Sequence, residues 1–502
     1  MARKWVTLAV VNVAVFMLLL DITVVNTALP SIREDLDASF TDLQWVVDAY
    51  TLTLAAFVLV AGSLADRLGR RRVFAWGLGI FTVASGVAAL APDPTWLNLA
   101  RAVQGIGGAV MFAVSLALIA QEFKGKELGI ATGLYGATIG VAVAIGPLVG
   151  GALTDGIGWQ SVFALNVPIG IAAIVLTYMR VAESRDPEAR GVDWLGVTTF
   201  SVSLFLLVLA LLRGNEEGWG STLIVGLFAG AAALFAAFVV VEMRQKSPML
   251  PLRLFRIPAF TGVQLASFAI SASMFALFLY LTLYMQNILG LSPLEAGVRY
   301  LPLTIISFLV APVAGVLLAR LPARGMLAAG LLMAGTGLIL MAGVQQGDEW
   351  TGLLGGFLIA GAGIGLINPV IANVAVSVVP PQQSGMASGI NDTFRQVGIA
   401  VAIAAYGAIF LGRVESEIAE RAPGVDAHSV AEGVSSGNLP ATTPPQVADA
   451  AREGFLAGFN QITLIGAGIA IAGAIAALVL IRSSDIVEAA EQVESQAVPV
   501  PA

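Results

Sequence analysis

From residue 5 to residue 481 the chain is a succession of apolar stretches, each long enough to cross a bilayer. A spanning helix needs about 20 mostly apolar residues. Such stretches fall near 5–29, 43–65, 73–91, 96–120, 129–153, 161–180, 194–212, 221–242, 260–287, 298–319, 325–344, 351–373, 395–412 and 459–481. With 57% of 502 residues apolar and 12% charged, there is more apolar surface than one soluble core can hide, so lipid must cover the rest. The predicted class is therefore an all-α polytopic membrane protein with fourteen transmembrane helices. A net charge of −7 argues against nucleic acid as a partner. The chain has no cysteine, and its one histidine, His428, lies in a polar stretch. That excludes thiolate chemistry and His-based catalytic or metal clusters. The 55 glycines suit membrane helices that pack closely.

Arg3 and Lys4 precede the first apolar run as in a signal peptide. The run is long, holds Asp21 and feeds directly into further spans, so it is predicted to be retained. Basic residues set the orientation. With the N-terminus in the cytoplasm, all but seven of the 26 Lys and Arg residues fall on the inner side, which predicts that both termini are cytoplasmic. The stretch 413–458 then becomes the only long loop. It is polar, external and expected to be partly disordered. "GSLADRLGRRR" (62–72) aligns with "GVLLARLPARG" (315–325), 253 residues on, with five of eleven positions matching. Both copies lie on one side, which implies a parallel repeat about an axis along the membrane normal. The predicted organisation is a six-helix bundle over 1–190, two inserted helices and a cytoplasmic linker over 191–256, a second six-helix bundle over 257–484, and a disordered tail over 485–502.

Few ionisable side chains lie inside the spans, and each asks for a partner or a task. Asp21 is the only one in its run. In span 4, "LNLARAVQGIGGA" puts Arg101, Gln104 and Gly105 on one helical face. Counted from the span ends, Asp21 and Arg101 both lie in the outer half of the membrane. A carboxylate in low dielectric tends to keep its proton, and a nearby guanidinium draws it off. Asp21 is thus placed to bind and release a proton as access alternates. Asp48, in "QWVVDAYTL", and Asp392, in "GINDTFRQ", are reserve acids; Asp392 alternatively caps span 13. Between spans 2 and 3, Gly62 and Gly69 permit a tight turn, and Asp66 ends a helix amid Arg67, Arg70, Arg71 and Arg72. In span 5, Gly133, Gly136, Gly140, Gly146, Gly150 and Gly151 recur at helix-face spacing, and Pro147 is expected to bend the rod.

These motifs resemble the major facilitator superfamily. "GSLADRLGRR" is similar to its signature between spans 2 and 3, where the acid closes the cytoplasmic gate; the resemblance implies that role for Asp66, with Arg395 as the expected partner. "RAVQGIG" resembles the second signature, and "GPLVGG" (146–151) the antiporter signature thought to seal the cavity against leak. "LDITVVNTALPSI", "LNVPIG", "VDWLG", "LGLSPLEAGVRYLP" and "GMASGINDTFRQVG" look like the fourteen-span drug:proton antiporters of the EmrB/QacA type. "WQSVFALNVPIG" departs from that pattern in lacking an arginine and a second tryptophan. The resemblance implies that Asp21 couples protons and senses cations, and that Asn26 and Pro30 shape span 1. Phe16, Phe57, Phe268, Met274 and Phe275 would either line a greasy binding surface or pack the core. The expected function is export of amphipathic cationic or neutral small molecules in exchange for protons. It would be driven by the proton gradient with no cofactor, in the lipid of a cell membrane, with a periplasmic adaptor if the cell is Gram-negative. A narrow exporter of a self-made antibiotic, lipid or sugar, and a transport-dead sensor, are the alternatives.

Overall fold

A computed structural model describes residues 3–38, 40–185, 193–245, 248, 250–318, 320–380, 383–436, 439 and 442–482. The expected tail, with Arg190, Lys246 and Ala319, lies outside the described residues. So do the side chains of Asn26, Lys126 and Pro147.

The chain is a run of helices in the order α1 (Arg3–Leu36), α2 (Phe40–Leu68), α3 (Arg70–Ala89), α4 (Pro94–Glu122), α5 (Gly125–Gly156), α6 (Gln160–Ala164), α7 (Asn166–Arg180), α8 (Trp194–Glu217), α9 (Thr222–Arg244), α10 (Pro258–Ile270), α11 (Leu277–Leu283), α12 (Pro293–Arg299), α13 (Leu301–Leu317), α14 (Ala323–Met341), α15 (Leu354–Ser377), α16 (Ser384–Arg421), α17 (Ala427–Ser436) and α18 (Pro445–Leu480). Two π-helical turns, Ser271–Phe275 and Tyr284–Ile288, flank α11. Each apolar stretch read from the sequence coincides with one helix or helix run. Among the described residues, twelve are long and apolar enough to cross a membrane; α13 is shorter, and α5 is a further apolar helix of 32 residues. The starts follow ordinary capping chemistry. Asp93 accepts from the Trp96 amide ahead of Pro94, and Ser292 and Glu295 form a capping box on α12. Pro168 has no N–H to give to the Ala164 carbonyl, and the helix is interrupted there between α6 and α7.

The helices sort by contact. Apolar clusters around Phe74, Phe81 and Phe123, and around Trp159 and Phe163, hold α1–α7 together. A larger one around Phe260, Phe357 and Phe455 holds α10–α18, takes in α8 and α9, and reaches across to Leu52 and Leu59 of α2, as the first cluster reaches Ala372 and Val376 of α15. The repeat is visible in close backbone approaches. Gly77 lies against Gly107 between α3 and α4, and Gly330 against Gly363 between α14 and α15. A Cβ on Gly105 would stand 2.4 Å from the Tyr50 carbonyl, and one on Gly361 2.3 Å from the Leu303 carbonyl.

The stretch 413–458 departs from expectation. It is largely helical: α16 runs on to Arg421, α17 follows, and α18 begins at Pro445. Its polar composition hides an amphipathic face. Val414 and Ile418 are buried one turn apart, Gly454 packs on Val414, and Phe410 meets Phe455 edge-on at 4.9 Å. Glu417 bonds to Arg413 and Arg421, one turn to either side. Residues 437, 438, 440 and 441 at its centre lie outside the description.

Candidate functional site

Asp21 sits inside the first helix group, against α3, α4 and α7, and is 2% exposed. Its Oδ2 accepts from Arg101 Nη1 at 2.5 Å. Its Oδ1 accepts from Gln104 Nε2 at 2.8 Å and from Asn166 Nδ2 at 3.0 Å. Gln104 Nε2 also donates to Ser85 Oγ at 2.8 Å, while Gln104 Oε1 accepts from Arg101 Nη1 at 2.7 Å. Arg101 is held from behind: its Nε donates to the Val46 carbonyl at 2.9 Å, and its guanidinium lies over the Tyr50 ring at 4.2 Å. The spacing of Arg101 and Gln104 explains their joint reach, since residues three apart on a helix share a face. The structure thus brings together Asp21, Arg101 and Gln104 as expected, and adds Ser85 and Asn166. Asn166 stands in the quoted "LNVPIG"; an amide inside an apolar span was its only signal. None of these bonds involves Asp48, which is half-buried on α2.

A charge pair so enclosed is stable only while both members are present, because either alone would be a desolvated ion.

At the end of the bundle that carries the Gly69 turn, Asp66 is 5% exposed and accepts four hydrogen bonds. Oδ1 takes Arg70 Nε at 3.0 Å, Arg70 Nη2 at 2.9 Å and the Gly385 amide at 3.1 Å; Oδ2 takes the Met386 amide at 2.8 Å. Those amides belong to the first turn of α16, where N–H groups have no partner within the helix. Asp66 thus caps a helix of the other group. The expected bridge to Arg395 is not formed. The helix begins at Ser384, so Arg395 lies about 16 Å further along its axis at helical rise. There it donates to Asn368 Oδ1 at 2.6 Å and lies 5.8 Å from the Phe275 ring. For the same reason Asp392 is buried inside α16 and is no cap.

Glycine makes this approach possible. A Cβ on Gly62 would stand 2.2 Å from the Gly385 carbonyl oxygen. Gly129 and Gly315 repeat that contact between α5 and α13, with corresponding separations of 2.3 and 2.0 Å. Gly69 has φ +111°, a backbone that side chains rarely adopt. Arg71 and Arg72 face Glu183, and Arg67 Nη2 reaches the Pro248 carbonyl in the linker after α9. In α5, Cβ atoms on Gly146 and Gly150 would fall on Thr23 Oγ1 and Thr27 Oγ1, on the turns of α1 just past Asp21. Gly140 faces Ser307, whereas Gly151 has nothing within 4 Å. Phe16, Phe57, Phe268, Met274 and Phe275 all pack within the apolar clusters.

Apolar helices in two repeated groups, joined by glycine contacts and enclosing an ion pair, define a polytopic transporter of the helical-bundle class. The chain belongs to the Major Facilitator Superfamily, whose family model matches residues 11–403. It is 32% identical to the tetracenomycin C resistance and export protein of Streptomyces glaucescens, over 95% of this chain and 91% of that one. It is also 32% identical to the multidrug efflux pump LfrA of Mycolicibacterium smegmatis, over 94% of this chain and 95% of that one. The human organic anion transporter MFSD10 (TETRAN) has the same fold, with TM-score 0.64 at 14% identity over 95% of this chain and all of that one.

Proposed function

We propose that the chain is a proton-coupled antiporter of the cell membrane that exports amphipathic small molecules, cationic or neutral, with both termini cytoplasmic and fourteen spans. The proton gradient, not a bound cofactor, drives it. In a cell with an outer membrane, a periplasmic adaptor would receive the product. The observation that carries this reading is the Asp21–Arg101 pair, 2% and 1% exposed, on helices tied to α5 by Gly146 and Gly150. A proton on Asp21 removes the attraction that binds α1 to α4, and α5 passes that change to α13 and α15 of the other group. Asp66, on the side the basic residues mark as cytoplasmic, latches the two groups together between cycles. The names of the relatives support efflux. One of them, for tetracenomycin C, names a single antibiotic, which favours a narrow substrate range as the second reading.

The test is reconstitution in liposomes with an imposed pH gradient. Asp21→Asn should insert and stay folded, at reduced stability, yet lose gradient-driven transport. Wild-type, pH-dependent transport by that variant contradicts the reading.

A further inference from the structure

A second polar cluster lies where α5 of the first group meets α15 and α16 of the second. Tyr135, Asn368, Asp392 and Arg395 are all at least nine-tenths buried. A Cβ on Gly136, the neighbour of Tyr135, would stand 3.2 Å from Asn368 Cβ. Arg395 bonds to Asn368, and Tyr135 is within electrostatic reach of both Asp392 and Arg395. Three polar atoms of the cluster have no hydrogen-bond partner among the described residues: Asp392 Oδ2, Asn368 Nδ2 and Tyr135 Oη. Asp392 and Arg395 form no ion pair within 4 Å either, though three residues apart on one helix. Polar atoms buried unpaired are costly, and native structures keep few without a task. These three are one acceptor, one donor and one hydroxyl, contributed by both helix groups.

We propose that this cluster holds the polar group of the exported molecule, and that this molecule is uncharged and carries at least one hydrogen-bond donor and one acceptor. A cation drawn to Asp392 is opposed by Arg395, and an anion meets the reverse. A neutral group is opposed by neither. Its donor goes to Asp392 Oδ2 and its acceptor to Asn368 Nδ2 or the Tyr135 hydroxyl. The apolar remainder lies toward Phe275, which already faces Arg395. Because Tyr135 belongs to α5 and the rest to α15 and α16, moving the two groups apart divides the site and releases the molecule. This rests on the exporter reading and narrows its substrates to neutral ones.

Equilibrium binding to the purified full chain in lipid nanodiscs tests it. The probes are radiolabelled chloramphenicol, an uncharged molecule with hydroxyls and an amide, and tetraphenylphosphonium, a cation with neither. Chloramphenicol should bind saturably, at least tenfold more tightly than tetraphenylphosphonium. Tyr135→Phe and Asp392→Asn, checked for a wild-type unfolding midpoint, should each weaken it five- to tenfold. The proposal is overturned if wild type shows no saturable chloramphenicol binding or if both variants bind within twofold of it. It is equally overturned if tetraphenylphosphonium binds as tightly and is the probe lost in Asp392→Asn. Normal binding without gradient-driven transport would contradict the antiporter reading alone.

Discussion

Asp21 and Arg101 are ions without solvent, and at the residue scale their mutual contact is what makes the fold tolerate either. Removing one partner of such a pair typically costs about 3–5 kcal/mol, because the other is left charged and buried. Arg101→Ala should therefore lower the thermal unfolding midpoint markedly. Asp21→Asn also leaves Arg101 charged and buried, but its amide oxygen can still accept from the guanidinium, so its loss should be real yet smaller. Fluorescence-detected unfolding of the purified variants decides this; a wild-type midpoint in both variants would mean that the charge pair does not govern the site. Asp21, Arg101 and Gln104 were legible in the sequence because ionisable or strongly polar letters stand out in apolar runs. Ser85 and Asn166 were not. A single hydroxyl or amide in a membrane helix carries little signal, since many such side chains only bond back to their own helix, as Thr82 does to Leu78.

At the scale of elements, the capping of α16 by Asp66 joins two helices distant in sequence. Its partners across the groups are backbone amides, which no residue type announces, so the sequence points instead to a side chain, Arg395. Loss of a cap typically costs about 1–2 kcal/mol. Asp66→Ala should loosen the Gly62–Gly385 contact by that order, seen as faster amide exchange in the first turn of α16; unchanged exchange there contradicts the cap. The apolar stretches gave the helices themselves, but not their continuation past the membrane. There Val414, Ile418 and Phe455 alternate with charges whose partners lie a turn away. On α17, His428 Nδ1 contacts Glu415 at 2.5 Å and Nε2 contacts Glu432 at 3.3 Å. The bond to Glu415 raises the imidazole above its ordinary 6.5; burial opposes it, and the charges of Glu432, Glu415 and Asp426 add to the rise. A raised value means that the stabilisation is complete below 6.5 and fades as pH climbs through the raised value. The ring is exposed, so the effect is small and salt-sensitive. Amide protection in α17, corrected for intrinsic exchange, should hold up to pH 6.5, fall as pH rises beyond it in wild type, and lose that dependence in Glu415→Gln.

Over the whole molecule, the repeat accounts for how the two groups meet. Gly62 and Gly315, equivalent by the 253-residue shift, each touch the helix of the other group: Gly62 on α16, Gly315 on α5. The inserted α8 reaches both groups. Arg213 lies over Trp45 at 4.9 Å, and Asn215 donates to the Ala404 carbonyl at 3.1 Å. Within this frame the two buried polar clusters differ in character. In the one around Asp21, within a single group, both carboxylate oxygens are paired and only the Tyr50 hydroxyl beside it is not; in the one around Asp392, between groups, a carboxylate oxygen, an amide and a hydroxyl are unpaired among the described residues. On the proposed reading the first takes the proton and the second the cargo. The most direct test is proton release: substrate is added to purified protein in weakly buffered detergent solution and the pH recorded. Wild type should release protons on binding and Asp21→Asn should release none while still binding. Equal release from Asp21→Asn would contradict the account.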